Sequence, residues 1–158
     1  MDYPDVNDLY NDGFGGLAVL AVVFIVMLSL LMAAVWYAVT SWLLGRVFKK
    51  AGIDQWKAWV PFYNSWVFLE LGGQQGWLAL LVLIPGVGGI VTLVFLCIAA
   101  YNIGLAFGKS GGWVVLYLLL SWVWYAIVGF DSSRWEPWRQ PAKPLYGANV
   151  PPPPEAAV

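Results

Sequence analysis

Apolar residues run along this chain in long blocks, and charge is confined to the gaps between them. No charged residue occurs within residues 13–45, 58–69, 71–108 or 110–130. The first block contains a long apolar run, residues 17–44. Runs of about 18 or more such residues mark helices that cross a bilayer. At about 1.5 Å per residue this run outreaches a hydrocarbon core of about 30 Å, so tilt or a protruding end absorbs the excess. Residues 54–71, DQWKAWVPFYNSWVFLEL, are apolar but interrupted. Asp54 predicts the cap of a short helix that Pro61 ends, and a second helical piece stops at Gly72-Gly73. That piece is too short to cross, and Trp56, Trp59, Tyr63 and Trp66 suit the headgroup region, so the segment is expected to lie along the membrane surface. A hairpin that dips in or crosses is the alternative. Residues 76–108 would make a helix of about 50 Å, too long for one span. Pro85, Gly86, Gly88 and Gly89 are expected to break it. Residues 113–130 read as the last span, and residues 131–158 as a polar, proline-rich tail. Its Pro151, Pro152, Pro153 and Pro154 favour extended polyproline II and suit docking.

The pattern predicts an all-α, polytopic membrane fold with three full spans plus the interfacial segment, and four spans as the alternative. Composition agrees: 61% of residues are apolar and 11% charged, against about 45–50% and 25% in soluble chains. The acidic start (residues 1–16) and long apolar run are unlike a cleavable signal peptide and read as a retained anchor. Arg46, Lys49, Lys50 and Lys57 follow the first span closely. Basic loops favour the cytoplasm, which places the N-terminus outside. The expected location is the cell inner (plasma) membrane. In the three-span arrangement seven of the eight basic residues lie inside; four spans would leave five inside and the tail outside. Basic-residue counting and the cost of Glu70 in mid-membrane favour three, with a cytoplasmic C-terminus.

Candidate chemistry is sparse. Net charge is −1, which gives no field for nucleic acid. There is no histidine, the commonest metal ligand and near-neutral base, and Cys97 is the single cysteine. Residues 104–110, GLAFGKS, fall one residue short of a phosphate-binding loop. Lys109 and Ser110 are adjacent and would not face one another on a helix. No catalytic residue, metal or cofactor is expected. Ala100, Gly104, Gly108 and Gly112 recur every four residues, a spacing that lets helices approach closely, so they are expected to form a packing interface. Glu70 beside an apolar run is a candidate ion or proton site, weighed against an interfacial residue with its carboxylate in headgroup water. Most of the eleven tryptophans fall where interfaces are expected.

Several motifs resemble those of a family of small, uncharacterised bacterial membrane proteins. They are Lys50-Ala51-Gly52; Trp56, Ala58, Pro61, Tyr63 and Asn64 in a W-x-A-x-x-P-x-Y-N pattern; Ile84-Pro85; Phe107-Gly108-Lys109; and Gly129-Phe130. The similarity covers about residues 49–135. It implies a multi-span helical fold with no assigned activity. Some members are labelled signal-peptidase-like, a label that would need a catalytic dyad and a β-rich domain of which this sequence gives no sign. Taken together, the expected function is a non-enzymatic accessory or scaffolding subunit, with the lipid bilayer and other membrane subunits, or further copies of itself, as partners. A small homo-oligomeric transporter or channel using Glu70 and the Pro85–Gly89 break is the alternative, and a peptidase-associated membrane protein the third.

Overall fold

A computed structural model describes residues 5–145. Every regular element among them is helical. The chain divides into two units, Met1–Ala38 and Val39–Val158. Helix α1 (Val6–Lys50) begins well before the expected span and continues past it. In the first unit its apolar side chains from Leu17 to Met32 are about half to two-thirds exposed. Ser29 satisfies its hydroxyl within the helix by donating to Ile25 O at 2.8 Å, so the whole stretch can sit in hydrocarbon without an unpaired polar group.

In the second unit, α1 ends where Gly52 takes φ +78°. A short 3-10 turn, Gln55–Trp59, follows, then α2 (Tyr63–Leu71). Pro61 separates them, and Phe62 turns the chain at φ +61°, with Tyr63 N–H donating to Pro61 O at 2.7 Å. Gly76–Leu83 form a longer 3-10 helix, followed by α3 (Val87–Ala106), α4 (Trp113–Leu119) and α5 (Ser121–Phe130). The 3-10 helix runs back along α3. Gly72 O accepts from Asn102 Nδ2 at 2.7 Å, and Leu78 O from Thr92 Oγ1 at 3.3 Å. The corner between these arms is narrower than the glycine cluster suggests. Pro85 and Gly86 make the turn, while Gly88 and Gly89 already belong to α3. Gly88 N–H donates to Ile84 O at 3.2 Å, which starts the helix two residues after the proline.

Two helices, Gly15–Lys50 and Val87–Ala106, are long and apolar enough to cross a membrane, fewer than the three or four spans expected. The shortfall lies in residues 113–130. Leu120 takes φ −143°, ψ 67° and divides this segment into α4 and α5. The break strands little hydrogen bonding: Leu120 N–H donates to Leu116 O, and its carbonyl accepts from Val123 and Trp124. A straight helix of this length would separate its ends by about 27 Å. Here Lys109, just before the segment, is ion-paired with Asp131, just after it. Both ends therefore lie at the same level, and the segment is a hairpin.

The core is one hydrophobic cluster. Val47, Phe48, Ala58, Val67, Phe68, Leu69 and Leu71 join α1 and α2 to Ala99, Ala100, Ile103 and Ala106 of α3. Trp124 and Val128 of α5 complete it, both fully buried. Uncovered apolar residues gather at the two corners: Leu83, Ile84, Val87 and Ile90 at one, Leu118, Leu119 and Leu120 at the other.

Candidate functional site

The residues that flank the apolar blocks converge on one polar seam. Lys50, at the end of α1, donates to Val128 O at 2.7 Å, Asp131 O at 2.8 Å and Ser133 Oγ at 3.1 Å. An ammonium has three donors, and these three acceptors use them all. The carbonyls are among those that α5 leaves without helical partners, where a cation is also favoured by the helix dipole. The same ammonium stands 5.0 Å from the centre of the Phe107 ring. Lys109 pairs with the Asp131 carboxylate and lies 5.2 Å from the Trp113 ring. Its hydrogen bond, aided by the Ser132 N–H, holds the Asp131 carboxyl below the usual carboxylate range. Arg46 stacks over Trp42 and Phe130, at 4.9 and 4.3 Å. Glu136 N–H donates to Ala106 O at 2.9 Å, and Glu136 pairs with Arg139. Lys50, Phe107, Lys109 and the turn after Phe130, separated in sequence, thus form one cluster.

Glycine positions along this seam differ from the expected stripe. Ala100 and Gly104 do face inward on α3, with Gly104 beside the Trp124 ring. Gly108 instead closes the helix: at φ +72° it lets Lys109 N–H reach Gly104 O at 2.8 Å, while its own N–H reaches Leu105 O at 2.9 Å. This is the pair of bonds that satisfies the last carbonyls of a helix, and the same pair ends α1 and α2. Gly112 precedes α4, and a Cβ added there would meet nothing within 4 Å. Helix α3 stops at Ala106, so the four positions cannot form one continuous stripe.

Glu70 sits half-buried on α2, and its carboxylate accepts from Trp66 Nε1 at 2.7 Å. Leu145 N–H donates to its backbone carbonyl. The Pro85–Gly86 corner is at the opposite end of the 3-10 arm, roughly 20 Å away by the rise of α3 from Gly88 to Asn102. The structure therefore does not bring these two expected partners together. Pro151, Pro152, Pro153 and Pro154 lie outside the described residues. No cluster of three or more metal-ligating side chains occurs among the described residues.

Beneath the seam is an aromatic box. Phe68 stacks on Tyr117, with centroids 5.7 Å apart and planes at 10°. Trp124 meets Phe68, Tyr117 and Tyr125 edge-on. These are the offset and edge-to-face geometries that aromatic quadrupoles prefer.

Sequence reasoning missed Lys50, Asp131 and Asn102. A signal for Asp131 was present: Lys109 and Asp131 are opposite single charges bracketing a charge-free run. Such a pair suits a hairpin closed by an ion pair better than a span that would separate it. Asn102, buried inside α3, is a polar residue whose only remedy is a partner.

A model of a family of unknown function, DUF5684, matches residues 56–136, a range that holds the Gly76–Leu83 3-10 arm, α2 to α5 and Asp131. No curated protein and no solved structure matches the chain.

Proposed function

The chain belongs to DUF5684, and from that premise we propose a non-enzymatic inner-membrane protein that serves as an accessory or scaffolding subunit of a larger membrane assembly. The observation that carries this reading is the uncovered apolar surface of α1, whose side chains from Leu17 to Met32 are about half to two-thirds exposed. A helix this apolar belongs in hydrocarbon, where it offers its surface to lipid and to neighbouring helices. With a photo-crosslinking residue at Phe24, irradiation of intact membranes is expected to yield one discrete protein adduct, either another subunit or a second copy. Adducts to lipid alone would defeat the proposal. The transporter alternative finds less support, because Glu70 and the Pro85 corner lie at opposite ends of an arm.

The topology follows the seam. Helix α1 crosses once from an outside N-terminus. Residues 72–106 form a hairpin that enters from the cytoplasmic face and returns, and α4 and α5 form a shallower one that does the same. All eight basic residues, including Lys109 and Lys143, then share the cytoplasmic face, one more than the three-span arrangement achieves. A cysteine at Ser110, in a chain whose Cys97 is replaced by Ala, should resist an impermeant thiol reagent in intact cells and react once the cytoplasmic face is opened. Labelling from outside would restore the arrangement in which residues 113–130 cross.

A further inference from the structure

Between the last turn of α1 and the irregular segment after α5 lies an open cleft of about 380 Å³, lined by Lys49, Lys50, Gly52, Ser133, Arg134 and Trp135. We propose that this cleft binds the phosphate of an anionic lipid headgroup. The division of labour among its cations supports this. Lys50 is committed to three protein acceptors and builds the wall. Lys49 and Arg134 are exposed, and neither has an ion pair among the described residues. Two uncommitted cations of different reach around one cleft suit a phosphate, which Arg can grip in a fork and Lys as a point charge. The setting points to a lipid source. Trp42, Phe130 and Trp138, all substantially exposed, ring this end of the unit with side chains that favour headgroup depth. Acidic groups near the cleft are already engaged, Asp131 with Lys109 and Glu136 with Arg139.

The proposal rests on the reading that the seam lies at a membrane surface. Thiol labelling at Ser110 tests that reading, whereas lipid retention in detergent tests this one. The full chain, purified in mild detergent with an equimolar mixture of phosphatidylglycerol and phosphatidylcholine, is examined by native mass spectrometry. The expected result is preferential retention of phosphatidylglycerol, lowered roughly tenfold or more in K49A/R134A. The charge-conserving K49R/R134K should retain it, which separates a missing charge from a damaged fold. The charge-matched control K57A/K143A, on the same face but outside the cleft, should change retention less than twofold. Equal retention of the two lipids, or an equal loss in the control, would overturn the site. Displacement of phosphatidylglycerol by low-millimolar inorganic phosphate would assign the cleft to a soluble anion and overturn the lipid.

Discussion

Replacing Trp124 with Ala is expected to cost about 3–5 kcal/mol, the range for truncating a buried aromatic, and to lower the thermal midpoint of the detergent-solubilised protein by many degrees. Trp124 is fully buried and is the common neighbour of Phe68, Tyr117 and Tyr125. Its removal would hollow the junction of α2, α4 and α5. If the protein folds in lipid, the transfer contribution shrinks, because a released side chain still meets an apolar medium. The cost then comes mainly from the dispersion attraction that the atoms lining the new cavity forfeit. Trp124→Phe separates these effects. The indole Nε1 is buried without an acceptor, so the phenyl ring keeps most of the packing and removes an unpaired donor, and the variant should lie within about 1 kcal/mol of the parent. An Ala variant as stable as the Phe variant would mean that the box does not hold α5 in place.

The second large effect concerns a residue without a side chain. At Gly72 an added Cβ would fall against Ala99 Cα, within 2.5 Å of its Cβ and 2.9 Å of its carbonyl oxygen. These are mostly backbone atoms, which cannot swing aside. Gly72→Ala must therefore push the end of α2 away from α3 and stretch the hydrogen bond from Asn102 to Gly72 O. We expect a loss of about 3 kcal/mol, the upper part of the usual range for overpacking, and a fall in the midpoint comparable to that of Trp124→Ala. Gly76→Ala is the contrasting case. Its Cβ would meet the Trp66 indole, a side chain that can rotate, so the loss should be smaller. Equal effects at the two positions would show that close backbone approach is not what glycine provides at Gly72.

How far the sequence can be read depends on which interaction sets each feature. Chain-local physics governs apolar length, so the residues alone imply one long first span, and the turns at Gly52, Gly72-Gly73 and Pro85 fall at breakers visible in the residues. The break at Leu120 carries no such mark. Leu is a good helix former, and nothing local in SWVWYAIVGF announces a new helix. That bend is held by contacts distant in sequence, above all Lys109 with Asp131 and Lys50 with the end of α5. Spacing alone also groups Ala100, Gly104, Gly108 and Gly112, because a four-residue repeat implies one face only while the helix lasts. Here α3 ends first.

The residues in order are enough to mark which stretches are long and apolar enough to enter hydrocarbon, because whether a side chain prefers water is its own property. Which ends meet is a property of pairs. The hairpin of α4 and α5 and the three acceptors around Lys50 arise from groups up to 83 positions apart, and no short window along the chain contains both partners.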